Sequence, residues 1–267
     1  YYYSAAAHRA LVEHLPQAKW IDATALVNWR RAVKSPAEIA LMRRAARIVE
    51  RMHARAYELI EPGLAKNKLV AEIYRCAIEG ADGHGGDYPA IVPLVPTGRD
   101  AGAPHLTWDD RPIPNDSGTF FEIAGVHRRY HCPLSRTIYL GAPPDAFRRA
   151  EAALQEGIAA GLAAARPGNR CCDIANALFA ALKRHGFDKD NRCGYAIGLS
   201  YPPDWGERTM SFRADDDTIL RAGMTFHFMP GLWLADWGIE ITESLLITDA
   251  GCETLADYPR ELLVKKT

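Results

Sequence analysis

The 267-residue chain is 48% hydrophobic and 24% charged, a globular composition with enough apolar material for one large domain. A formal net charge of −1 offers no global field for nucleic acid or an anionic membrane, and no apolar run approaches the roughly 18 residues that a bilayer crossing needs. Cys76, Cys132, Cys171, Cys172, Cys193 and Cys252 show no CxxC spacing, which argues against a zinc ribbon or a disulfide framework and points to reduced thiols in a cytoplasmic setting.

Residues 1–28 hold a helix-like piece, YYYSAAAHRALVEHL, and KWIDATALV, which reads as a strand. They are too short to bury a core and start without Met. They read as the C-terminal remnant of a missing N-terminal domain, with residues 29–267 as the main domain. SPAE at 35–38 is a helix start: Ser35 as N-cap, Pro36 at the first helical position, Glu38 closing a capping box. Ile39, Met42, Ala46, Val49, Met52, Ala56 and Ile60 then recur at helical spacing up to Pro62-Gly63. Leu64 to Glu79 reads as a second helix. Asp87 to Pro96 carries three prolines and reads as an edge strand and loop. A polar loop with His105 follows.

Phe120 to Thr137, FFEIAGVHRRYHCPLSRT, is the centre of the pattern. Two extended runs with Gly125 between them predict a hairpin turning at that glycine. The first run carries Glu122, a carboxylate in an apolar strand that needs a partner. The plain alternative is a core glutamate satisfied by the arginines between Arg128 and Arg136. Ala146 to Ala165 and Cys171 to His185 are two further amphipathic helices. CGYAIGLSYPPDWGE is Gly/Pro-rich with three aromatics, and MTFHFMPGLWLADWGIEITESLLIT reads as strands. Helices, strands, helices, strands in that order predict an α+β fold with a mostly antiparallel sheet, and the repeated order hints at an internal duplication.

Several stretches, taken in order, resemble the pita-bread family of methionine aminopeptidases, prolidases and creatinase. RAVKSPAEIALMRRAARI is similar to its entry helix, APHLTWDDRPI to its catalytic-histidine loop, and SGTFFEIAG…SRTIYLG to its two-Asp hairpin. CGYAIGL, MTFHFMPG and GIEITESLLIT are similar to its later motifs. The resemblance implies a curved, mostly antiparallel sheet covered by two helix pairs, and a pita-bread catalytic domain over 29–267. The family's metallopeptidases bind two metals through Asp, Asp, His, Glu and Glu. Those positions fall here on Glu122, Pro133, Tyr195, Met229 and Thr242, so one carboxylate remains. Pro, Met and Thr do not replace carboxylates around a hard dication. The expectation is therefore no metal and no cofactor. The catalytic histidine falls on His105. GGDYPAIVPL, YHCPLSRT and GYAIGLSYPPDWGERTMS further resemble the ectoine hydrolases of this family.

That resemblance implies a small cationic cyclic amidine as substrate, opened by water at a C–N bond. Metal ions would repel an amidinium, whereas glutamates attract it. His105 and Glu122 are the expected catalytic pair, His105 moving a proton and Glu122 holding the cation or activating water. His105 is otherwise a surface loop histidine. A further glutamate is expected from Glu240 or Glu243. Strand alternation puts Glu240 on the face of Thr242, and Glu243 opposite unless a bulge intervenes. Tyr195, Trp205, His227 and Trp237 are candidate substrate contacts; ordinary core aromatics and a core histidine are the alternatives. Arg208 or another arginine is a candidate for the substrate carboxylate. The family also implies a homodimer. The competing readings are a creatinase-type hydrolase of another small cation, an Xaa-Pro dipeptidase-like metallopeptidase with unusual ligands, and a catalytically inactive binding module.

Overall fold

The computed structural model describes residues 3–266 and places six α-helices and ten strands among them. Helices α1 (Ala5–His14) and α2 (Leu26–Arg31) lead the chain and contribute no buried residue. KWIDATALV forms no strand: it has no sheet edge to pair with, and a turn at residues 24–25 starts α2 instead. Helix α3 (Pro36–Leu59) starts with the expected box. The Ser35 hydroxyl accepts from the Glu38 amide, and the Glu38 carboxylate accepts from the Ser35 amide at 2.8 Å. Its buried stripe runs through Met42, Ala46, Val49, Met52 and Ala56. Helix α4 (Lys66–Glu79) packs beside it.

Residues 87–97 make no regular strand. Pro89, Pro93 and Pro96 remove ladder donors, so the segment meets its neighbour only at single bridges, Leu94 to Glu122 and Thr97 to Thr119. Those partners lie on β1 (Ser117–His127), which forms the expected hairpin with β2 (Tyr130–Leu140). The turn is not at Gly125 but at Arg128 and Arg129. Both have positive φ, 48° and 66°, which suits a two-residue connection whose twist matches the strands. Gly125 lies inside β1 opposite Cys132. Its role is close packing: a Cβ there would stand 2.1 Å from the Ala45 carbonyl oxygen, so glycine lets α3 rest on the hairpin.

Helices α5 (Asp145–Ala164) and α6 (Cys171–Arg184) form the second pair. The remaining strands are β3 (Gly194–Tyr201), β4 (Asp204–Ser211), β5 (Thr225–Phe228), β6 (Gly231–Trp233), β7 (Gly238–Glu240), β8 (Glu243–Ile247), β9 (Cys252–Thr254) and β10 (Leu263–Lys265). The main sheet runs β1-β2-β3-β5-β8-β9, with β4 on β3 and β10 on β2; β6 and β7 make a small ribbon. Every pairing is antiparallel except β10 with β2. One core lies under α3 and α4, with Phe121, Ile123 and Leu134. A second lies under α5 and α6, with Phe226, Phe228 and Leu245. The two helix pairs thus serve two halves of one sheet, and the cleft described next opens where β1, β3 and the β6–β7 ribbon converge.

Gly125→Ala should lower unfolding free energy by about 1–3 kcal/mol, because strand and helix must separate to admit the methyl group. Gly251→Ala, with open space around it, should change stability by less than about 0.5 kcal/mol. Urea titrations of both variants check this; equal midpoints would remove the close-packing role.

Candidate active site

Strand alternation turns Glu122 of β1 to the same face as Ser135, its register partner on β2, and leaves it 3% exposed. The arginines of the hairpin do not satisfy it. Arg136 points away, and the nearest basic atom is His227 Nδ1 at 3.9 Å, beyond hydrogen-bond range. A second carboxylate, Glu240 at the end of β7, is 1% exposed, and neither of its oxygens has a direct hydrogen-bond partner. The Ser135 hydroxyl and the Trp233 indole N–H face it, both buried and also without direct partners. Burial raises the Glu122 pKa well above the carboxylate range, and the charge of Glu240 adds to the effect. Burial raises Glu240 to about 8, with Ser135 and the Lys189 ammonium pulling partly the other way. Two carboxylates in so dry a setting do not both ionise near neutrality; they titrate as a pair that holds a proton.

Beside them runs a chain of buried polar groups. Trp205 Nε1, a donor only, gives its proton to the Tyr195 hydroxyl at 2.7 Å. Tyr195 and His227 Nδ1 are 3.0 Å apart, and His227 Nε2 and the Thr242 hydroxyl 2.8 Å. Thr242 Oγ1 also accepts from the Ser135 amide at 2.7 Å. The four side chains form one continuous buried chain, and His227 is neutral near pH 7. Burial, helped by the Arg192 charge, holds its pKa down to about 3. The same burial, with the Glu122 charge, pushes the Tyr195 phenol well above its ordinary value.

Above this base the cleft has two adjoining lobes, about 630 and 480 Å³, which share His105, Glu122 and Arg192. The first is walled by Met229 and Trp233, the second by Tyr195 and the β4 residues Gly206 and Arg208. Of the residues singled out from the sequence, the structure brings His105, Glu122, Tyr195, His227 and Glu240 together. His105 is exposed on its loop and borders both lobes. Glu243 does not join them. Its Oε1 accepts from Arg136 at 2.8 Å and from Arg260 at 2.9 Å, so it is a structural ion pair on the other face of β8. Residues 241–242 break the chain between β7, in the small ribbon, and β8, in the main sheet, so the two glutamates stand on separate strands. Trp205 is fully buried behind Tyr195 and orients that side chain rather than meeting a ligand. Trp237 stacks on Phe147 of α5, ring centroids 4.5 Å apart, away from both lobes. Arg192 and Ser135 border or underlie the cleft without any local signal in the sequence that marks them; only their placement after folding does.

The donor set does not fit a pair of hard dications. Among the described residues, no group of three or more His, Cys, Asp or Glu side chains is placed to hold a metal. Pro133 and Met229 offer no hard oxygen from their side chains, and the Thr242 hydroxyl is already occupied by His227 and the Ser135 amide.

Residues 40–249 match metallopeptidase family M24, and the chain belongs to that family. Its sheet and helix pairs have the pita-bread fold. It superposes on a dipeptidase PepE from Mycobacterium ulcerans with TM-score 0.85 at 25% identity, over 99% of this chain and 70% of that one. A prolidase from Pyrococcus horikoshii gives 0.88 at 21% identity, over 98% and 74%. Within the family the chain is a hydrolase similar to ectoine hydrolase from Halomonas elongata. The two are 65% identical over 99% of this chain and 68% of that protein. It is also 43% identical to an uncharacterized hydrolase/peptidase, y4tM, from Sinorhizobium fredii, again over 99% and 68%.

The two glutamates should separate in stability measurements. Glu243→Gln leaves the Arg136 charge buried without its counter-ion and should cost about 3–5 kcal/mol. Glu240→Gln should not. Glu122 and Glu240 both titrate higher folded than unfolded; the stability Glu240 contributes is complete below the ordinary carboxylate value of 4.5 and is lost as pH rises through its folded value of about 8. Relative to the native protein, Glu240→Gln should therefore gain stability between pH 5 and pH 8. Urea unfolding at both pH values checks this; a pH-independent difference would contradict a buried proton-holding pair.

Proposed function

We propose that this protein opens the ring of ectoine, a cyclic amidine bearing a carboxylate, by metal-independent hydrolysis to N-acetyl-diaminobutyrate. The observation that carries this reading is a pair of buried carboxylates, Glu122 and Glu240, beneath a cleft with neither a metal-ligand set nor an arginine to neutralise them. The 65% identity to an ectoine hydrolase supports the substrate. A delocalised cation settling over Glu122 supplies the counter-charge that the fold withholds, and its binding favours release of the shared proton.

The chemistry then needs few groups. The amidinium carbon is already electrophilic. A water positioned by ionised Glu122 attacks it, and the carboxylate takes one of the water's protons. As one ring C–N bond breaks, the hydroxyl proton of the tetrahedral adduct passes to solvent water and its oxygen becomes the amide carbonyl. The departing nitrogen leaves as an amine after taking a proton, and His105, at the edge of both lobes, is the group assigned to deliver it. Glu240, held mostly protonated near neutrality, keeps the second negative charge out of the site until a cation arrives. Tyr195 faces the second lobe and provides an aromatic wall for a planar cation. The six free thiols accord with a reducing, cytoplasmic setting. The exposed apolar side chains Leu11, Trp20, Ile21 and Trp29 accord with a homodimer.

After dialysis against chelator, the protein should convert ectoine to a single ring-opened acetyl-diaminobutyrate, read by NMR. Turnover of Xaa-Pro dipeptides restored only by added divalent metal, with ectoine untouched, would overturn the proposal. His105→Gln should lower kcat by about 10²–10⁴-fold at unchanged Tm, the usual span for losing a general acid. Turnover near the native rate in that variant would remove His105 from the reaction.

A further inference from the structure

The cleft carries a fixed cation as well as buried anions. Four basic side chains stand around it: Lys189, Arg192, Arg208 and Arg213. Two are already engaged. Lys189 Nζ lies 4.4 Å over the Trp233 ring, and Arg208 faces Asp204 at 3.5 Å with its side chain 70% exposed. Among the described residues, Arg192 and Arg213 have no carboxylate within ion-pair distance. Only Arg192 borders both lobes, in company with His105 and Glu122. Arg213 reaches the first lobe alone, where Asp190 and Asp215 also stand.

Arg192 lies just before β3, exposed, with its guanidinium over an aromatic ring. Its guanidinium carbon sits 4.7 Å above the Tyr195 ring. That ring is itself pinned by the Trp205 and His227 hydrogen bonds to its hydroxyl. A planar donor fork held over a fixed aromatic plate, with its edge free, is suited to a carboxylate in two-point contact. The arrangement is dipolar: a buried anionic base at Glu122, and a guanidinium at the junction of the lobes. A simple cation would be attracted by the first and repelled by the second.

Building on the ring-opening reading, we propose that Arg192 binds the substrate carboxylate. It thereby makes the site selective for small zwitterions, which pair a delocalised cation with a carboxylate, over cations that lack the acid. Arg192 is a specificity-determining residue on this account, and Arg208 is not.

The test compares ectoine with 2-methyl-1,4,5,6-tetrahydropyrimidine, the same amidine ring without its carboxylate. The KM for ectoine and the inhibition constant of the acid-free ring against ectoine turnover are measured for the native protein, Arg192→Met, Arg192→Lys and Arg208→Met. A charge-assisted hydrogen bond is worth about 1.5–3 kcal/mol, so the native preference for ectoine should fall about 10- to 100-fold in Arg192→Met. The change should come through KM, with kcat much less affected. Arg192→Lys should recover part of it, and Arg208→Met should leave the preference within threefold. A native-like preference in Arg192→Met, or an equal loss of affinity for both compounds, would overturn the assignment while leaving the ring-opening reading in place. A native protein that turns over no ectoine would remove that reading and this inference together.

Discussion

The guanidinium of Arg136 sets the electrostatics of the whole centre. It lies fully buried between β2 and the C-terminal segment. It donates to the Ser135, Thr242, Tyr258 and Pro259 carbonyls as well as to Glu243. Together these donations tie the hairpin, the start of β8 and the chain end to one another. With its charge paired to Glu243, Arg136 makes no ion pair with Glu122 or Glu240. The reactive character of the cleft is therefore a consequence of which glutamate the core arginine selects. The same interaction that stabilises one side of the sheet keeps the other side electrostatically incomplete.

Relatives that bind metal neutralise a carboxylate cluster with dications. Here the corresponding positions hold Pro133, Tyr195, Met229 and Thr242, and the gap is filled by a neutral hydrogen-bonded chain from Trp205 to Thr242. That chain costs little electrostatically because every member is uncharged and each buried donor meets an acceptor. The result is a scaffold of the metallopeptidase family in which burial raises the pKa values of the remaining glutamates, Glu122 and Glu240.

Much of the fold was legible in the residues themselves. The Ser35–Glu38 box, the apolar stripe from Met42 to Ala56 and the two extended runs of the hairpin are local signals, and they appear where they were expected. The errors came from non-local causes. Gly125 reads as a turn because glycine between extended runs usually is one; its actual reason is the backbone of α3 lying across it. The true turn uses two arginines in a left-handed conformation. Arg129 is held there by Asp87 at its amide and by the Tyr88 and Ser200 carbonyls at its side chain, none of them near in sequence. The sequence left Glu240 and Glu243 as alternatives, and the ion pair of Glu243 with Arg136 is what separates them. Trp205 and Trp237 looked like ligand contacts by composition and became core by burial. Arg192 carries no sequence mark at all, because its meaning depends on Tyr195 lying beneath it.

The bonding around Arg136 also has a consequence for how the chain is made. Its Nε donor partner, the Pro259 carbonyl, lies 123 residues further along. At ribosomal rates of about 5–20 residues per second, the hairpin waits roughly 6–25 s for that group to be synthesised. During that interval the strands of β1 and β2 carry an unsatisfied arginine where the finished sheet buries one. The central hairpin can thus be made early yet reach its final burial only when the last strand, β10, docks along β2.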